Sequence, residues 1–341
     1  MSQSQSLRSL GAAIVIVLSA SIFPSAIANA QAVIKIDGSS TVYPITHNAA
    51  SQFQAERKNA VNITVDVSGS GGGFKKFCRS EIDIVNASRP ILKSEMKDCQ
   101  KAHVQYVEIP VAFDALTVAV NPKNTWGTKM TVKQLKKIWE PAAQGKITRW
   151  NQINPAWPDE AIKLLGTHAN SGTYDYFTEA IVGKSKSSRQ DFTQLENNAT
   201  LIDTVAGSKN SLAFLGFGYY NENQSKITAV AIDNGNGAVL PSVETVENGS
   251  YQPLSRPIFI YVNAKAAERS EVKGFVEFYM KNAILLVKEA KFFPLPPRAY
   301  SIMLDHFNKK RVGSVFSGKP AVGLTIDELL RSEGRTEFEH F

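Results

Sequence analysis

In a chain of 341 residues, three short stretches combine Gly with Ser and Thr in a way that suits anion binding. They are Gly38-Ser39-Ser40-Thr41, Ser68-Gly69-Ser70-Gly71-Gly72-Gly73 and Asn170-Ser171-Gly172-Thr173. Each lies where a β-prone run gives way to apolar residues at helical spacing. At a helix start the first amide protons lack intrahelical partners and the dipole is positive, which favours a negative ligand. Gly lets a backbone approach that ligand, and Ser and Thr hydroxyls rotate to donate. One such stretch is ordinary punctuation, since Ser and Thr cap helices and Gly makes turns. Three in one chain point to a common ligand, because ligands of open α/β sheets collect at the carboxyl ends of strands.

The known nucleotide motifs fail here. Gly183-Lys184-Ser185 imitates the end of a P-loop, but Thr178 stands where the first Gly belongs. Gly69-Ser70-Gly71 lacks the third Gly of a dinucleotide fingerprint, where Phe74 stands. A small tetrahedral oxyanion needs several short donor loops and no base or ribose pocket, and it fits better. Arg89, in a strand-like run ended by Pro90, could add charge-assisted bonds as a buried guanidinium; left on the surface it would be a solvated side chain.

The elements that must position these residues follow from periodicity. Residues 33–37 and 61–67 alternate as strands. Ile45, Ala49 and Phe53 mark a helix after the first turn, with Pro44 suited to its first turn, and Phe74, Phe77 and Cys78 mark one after the second. Residues 162–165 are an apolar run before the third turn, and Tyr174, Phe177 and Ile181 share a helical face after it. Residues 111–120 and 257–262 are strongly β-prone and read as connectors. Between them residues 212–220 and 227–232 are strand-like, and after Asn263 the pattern turns helical. The expected fold is therefore α/β, with largely parallel sheets flanked by helices.

Composition and address agree with this reading. The chain is 43% hydrophobic and 20% charged, with 22 Gly, 15 Pro and 2 Cys, which excludes disordered, collagen-like and disulfide-scaffold classes. Its net charge of +7 is too mild to argue for nucleic acid. Residues 1–30 read as a cleaved secretory signal peptide, with Arg8, a short apolar run closed by Pro24, and Ala28-Asn29-Ala30 at the cut. That run is shorter than the roughly 20 residues of a membrane span. Export makes Cys78 and Cys99 a structural disulfide, worth about 3 kcal/mol on loop-closure grounds. His47, His103, His168, His306 and His340 are scattered, and neither a metal nor a cofactor is expected.

At these residues the chain resembles the phosphate-binding proteins (PstS type) of ABC phosphate importers. The matching stretches are Asp37-Gly38-Ser39-Ser40-Thr41-Val42-Tyr43-Pro44, Gly69-Ser70-Gly71-Gly72-Gly73, Ala87-Ser88-Arg89-Pro90 and Ser171-Gly172-Thr173. Trp150-Asn151, residues 111–122 and Gly313-Ser314-Val315-Phe316 are also similar. The resemblance implies a two-lobed periplasmic binding protein (type II) closing on phosphate between its lobes. Lobe I would comprise residues 31–114 plus 258–341, and lobe II residues 115–257. It carries phosphate contacts onto Ser40, Thr41 and Val42, with Ser39 kept because the register is open by one residue, and onto Ser70, Ser171, Gly172 and Thr173. Well-known members have Asp where this chain has Arg89, and an Arg where it has Thr167; a branch reading Ser-Arg-Pro resembles this chain.

That departure bears on selectivity. Hydrogen phosphate retains a proton that a buried acceptor can take, and sulfate does not. Asp114 is the first candidate acceptor, with Asp83 and Asp175 behind it; His168 lies near the third turn. The implied role is a monomeric, periplasmic receptor that binds inorganic phosphate and delivers it to the membrane permease of an ABC importer. Receptors for sulfate or molybdate, a sensory receptor and a secreted phosphatase are the alternatives. The phosphatase lacks a Gly-x-Ser-x-Gly elbow around Ser40 or Ser70.

Overall fold

The computed structural model describes Met1, residues 31–169, 171–195, 197–318 and 324–333. The expected signal peptide and Asn170 lie outside the described residues, and the architecture below is that of residues 32–333.

The chain opens with β1 (Ala32–Gly38), α1 (Tyr43–Glu56), β2 (Val61–Val65), α2 (Ser70–Phe77), β3 (Ile84–Ala87) and α3 (Lys93–Lys101). The long strand β4 (Tyr106–Val120) leads to β5 (Lys129–Thr131), α4 (Val132–Trp139), β6 (Lys163–Thr167) and α5 (Gly172–Phe177), which runs on into a π turn (Thr178–Val182). Next come β7 (Thr193–Leu195), α6 (Asn198–Ala206), β8 (Ser211–Gly216), α7 (Phe217–Asn221), β9 (Thr228–Ala229), β10 (Ala231–Asp233), β11 (Ala238–Val239) and α8 (Val243–Glu247). The chain returns through β12 (Ser255–Asn263), α9 (Ser270–Glu289), β13 (Phe293–Pro294), α10 (Pro297–Asn308) and α11 (Ile326–Glu333).

The main sheet runs β2-β1-β3-β12-β4-β8-β6-β7. Within this sheet parallel pairing is confined to β1 with β2 and β3, and to β6 with β7 and β8, while β4 and β12 run antiparallel to their neighbours; a small second sheet, β11-β10-β5, pairs β10 with β5 in parallel. Strand β4 serves two sets of partners. Tyr106 to Ala115 pair with β12, and Leu116 to Val120 pair with β8. Every residue of β4 and β12 is buried, so both faces are covered and the runs read as almost continuously apolar. The first connector is longer than the 111–120 run expected. Its beginning carries Tyr106 and the buried Glu108, whose carboxylate accepts from Tyr261 Oη at 2.7 Å and Val315 N at 3.0 Å. The strand-like run 212–220 also divides: β8 ends at Gly216 and a helix takes Phe217–Asn221, where Gly218 meets the backbone of Lys291 and Phe217 packs on Phe293.

The helices are placed by aromatic packing. Phe53 of α1 meets Phe275 and Phe278 of α9 at 5.7 and 5.5 Å between ring centroids. In the second half, Phe177 of α5 stacks on Phe214 of β8 at 4.0 Å, and Trp139 of α4 meets both edge-on. Together these fix the direction in which α5 leaves the third turn.

The structure closes the disulfide between Cys78 and Cys99, tying the end of α2 to α3 across a sequence separation of 21. Replacing both by Ser is expected to cost about 3 kcal/mol of unfolding free energy, read as a lowered midpoint in denaturant. An unchanged midpoint would show that the link adds nothing to the packing of α2 on α3.

Candidate functional site

The first turn is built by a close crossing of backbones. Gly38 has φ +135°, and a Cβ there would lie 2.2 Å from the carbonyl oxygen of Asn86, so only Gly lets β1 end against β3 in this way. Ser39 N donates to that Asn86 oxygen at 2.9 Å. Ser39 is buried, and its Oγ accepts from Thr41 N at 3.2 Å. Val42 is fully buried in the core, and no side chain caps α1 there.

The third turn packs directly against the first. Ser171 caps α5 by accepting from Tyr174 N at 3.1 Å, and its hydroxyl donates to Thr167 Oγ1 at 2.8 Å. Gly172 touches the first turn directly: a Cβ there would stand 2.4 Å from both Thr41 N and Thr41 Oγ1. The two turns thus meet edge to edge, and a cleft of about 470 Å³ opens beside them. Of the expected site residues, Ser40, Thr41, Asp114, Ser171, Gly172 and Thr173 line it. Tyr43, Val67, Phe217 and Lys291 add to its walls.

The others lie elsewhere. Ser39 sits beneath the first turn and Val42 in the core, so each could reach a ligand only through its backbone. In the second turn, Ser70 Oγ lies 3.1 Å from Ser88 Oγ and accepts from Ser88 N at 3.1 Å. Arg89 is outside the cleft lining. Its guanidinium forms a two-pronged ion pair with Glu95 of α3, at 2.9 and 2.8 Å, above the ring of Phe74. The charge expected to face the anion is therefore matched within the protein. Asp83 pairs with Arg269 at 2.8 Å, and Asp175 lies 3.9 Å from Lys186. The His168 carbonyl accepts from Ser171 N at 2.9 Å.

Asp114 occupies a different environment. It is only 4% exposed, and its Oδ2 receives no hydrogen bond. Burial pushes its carboxyl up to about 6, against the opposing pull of the Arg256 charge and the Ala115 amide.

Arg256, which sequence reasoning did not single out, is not part of the cleft lining itself but adjoins Asp114, which is. It stands opposite Asp114 in the β12–β4 register, with Nε 3.8 Å from Asp114 Oδ2, and it is 9% exposed. Its guanidinium lies 3.4 Å from the ring centroid of Tyr176 in α5, and Nη1 donates to Glu179 Oε2 at 3.2 Å. Nε and Nη2 have no acceptor. One signal could have revealed it: Ser255-Arg256-Pro257, at the start of β12, repeats the tripeptide Ser88-Arg89-Pro90, which follows directly on β3, and those two strands pair with each other.

Two glycine-bearing turns meet beside a buried carboxylate, at the junction of two strand sets, and border this cleft. Residues 25–283 match the family model of a PBP superfamily domain; the chain belongs to that superfamily, and its mixed α/β architecture is the periplasmic-binding-protein fold. Protein SphX of Synechocystis is 50% identical over 305 residues, covering 89% of this chain and 90% of that protein. The phosphate-binding protein PstS of Staphylococcus aureus is 33% identical over 273 residues, covering 80% and 81%. The crystal structure of a possible phosphate binding protein from Planctomyces limnophilus is similar at a TM-score of 0.77 and 41% identity, covering 82% of this chain and 98% of that one. The family places the chain among binding proteins and not among enzymes. Among the described residues no helix is long and apolar enough to cross a membrane.

Proposed function

We propose that the chain binds inorganic phosphate in this cleft and delivers it to a membrane permease of the ABC type, as a periplasmic receptor freed of its leader. The observation that carries the reading is the meeting of the first and third turns beside Asp114, which gathers hydroxyl and amide donors around a buried acceptor. Such a set suits an oxyanion that both accepts hydrogen bonds and donates one. The names of the Staphylococcus and Planctomyces relatives support the same ligand.

The two lobes would be residues 31–114 plus 258–341 and residues 115–257, moving about β4 and β12. A bound ion touching both turns would favour the closed arrangement by its differential contacts. Calorimetric titration tests the ligand. Phosphate is expected to saturate one site per chain, with sulfate weaker by about 100-fold or more at pH 8. Comparable affinities would defeat the assignment. Loss of phosphate uptake on deleting the chain tests delivery, and unchanged uptake would argue for sensing.

A further inference from the structure

Arg256 is the least satisfied charge among the buried groups described. A guanidinium carries five N–H donors and stays charged at any physiological pH. Here one nitrogen reaches an acceptor, Glu179 Oε2, while Nε and Nη2 are buried without any. Asp114 at 3.8 Å supplies attraction without a hydrogen bond. Buried charged donors left open in this way call for a missing partner. The side chain is also held still. Tyr176 lies flat against it, and the Tyr176 hydroxyl is anchored on the Pro253 carbonyl at 3.0 Å. Arg89 differs in the first respect, since Glu95 takes both prongs of its fork.

Glu179 is the exposed member of the group. Its side chain is 41% exposed, against 10% for Arg256, and it projects from the π turn that follows α5. Turns of this kind recur at functional sites. With Asp114 and Glu179 both ionised, one positive charge faces two negative ones, and an arriving dianion meets net repulsion. Glu179 can swing into water at little cost, which Asp114 at 4% exposure cannot do.

We propose that Arg256, and not Arg89, is the cationic anchor of the bound anion, and that Glu179 is an internal counter-ion which the anion displaces. The proposal rests on the reading of the cleft as a phosphate site. It makes Glu179 a brake on affinity: its carboxylate occupies the guanidinium until a better acceptor arrives.

Phosphate calorimetry on the full chain tests this with four variants. Arg256→Gln is expected to weaken binding by about 100-fold or more, and Arg89→Gln by less than about 5-fold. Glu179→Gln is expected to tighten binding by about 3- to 10-fold, because removing one carboxylate from the group lowers the repulsion. Arg256→Lys keeps the charge but loses the flat stacking and the fork, and about 10-fold weakening is expected. Equal losses in Arg89→Gln and Arg256→Gln, or weaker binding in Glu179→Gln, would overturn the proposal. If Arg256→Gln melts before it can be titrated, the Glu179→Gln and Arg256→Lys results decide. A wild-type chain that fails to bind phosphate removes the functional reading and this proposal together; a wild type that binds while the Arg256 variants are unaffected removes the proposal alone.

Discussion

Gly172→Ala is expected to reduce phosphate affinity by about 100-fold or more while leaving the unfolding transition nearly in place. The added methyl would sit 2.4 Å from Thr41 N and Oγ1 and 2.6 Å from Thr41 Cα. Two of those atoms are backbone, so no flexible side chain can yield, and the turns must separate by about an ångström to reach ordinary contact distance. Displacements of that size in a positioned set of groups cost about two orders of magnitude. Gly172 is the first residue of α5 and its added methyl would face the first turn, so the cost falls on bringing the two turns together. Calorimetry paired with a thermal melt checks this. Wild-type affinity in the variant would mean that the turns need not touch when the ligand is held.

The second large effect concerns Asp114. Because burial holds its carboxyl at about 6, it is ionised at pH 8 and neutral at pH 5. Ionised, it accepts the proton of hydrogen phosphate and repels sulfate, which has none to give. Neutral, it becomes a donor that sulfate can use. Sulfate is therefore expected to compete increasingly as pH falls through about 6. In Asp114→Asn, which donates at every pH, selectivity at pH 8 is expected to fall by about 100-fold or more. Sulfate titrations at pH 5 and 8 check both. A selectivity that ignores pH and survives Asp114→Asn would remove Asp114 from recognition. The same shift acts on stability with the opposite sign to most carboxylates. The folded chain holds this proton up to about pH 6 and the unfolded chain only to about 4, so the unliganded protein loses stability as pH rises through that window. Asp114→Asn is expected to flatten that slope in denaturant melts.

Much of the site was legible because its signals are local. A β-prone run, a Gly-Ser-Thr turn and an apolar stripe at helical spacing occupy neighbouring residues, and backbone sterics and capping act over the same distance. Asp114 was legible as a carboxylate inside a β-prone run, where burial makes an acid conspicuous. Arg89 was legible as a charge beside the second turn, but not as one already matched. Glu95 lies six residues on, in another element, and only the packing of α3 brings it back to the guanidinium that lies over Phe74. The strand-like run 212–220 was misread at its end because alternation in an apolar segment cannot reveal that Gly218 is pressed against the Lys291 backbone.

Arg256 marks the boundary between the two kinds of information. Its neighbours in sequence, Ser255 and Pro257, say only that a strand begins. Its meaning comes from β4 across the ladder, from Tyr176 and Glu179 on a helix that a different turn launches, and from the removal of water around all of them. By itself the sequence determined the α/β grammar, the hydroxyl-bearing turns and the disulfide, because short-range sterics, periodicity and compartment chemistry decide those. Only the tertiary structure decided which charge is satisfied and which is left open, because ionic pairing depends on distances between elements far apart along the chain and on burial that no single segment contains.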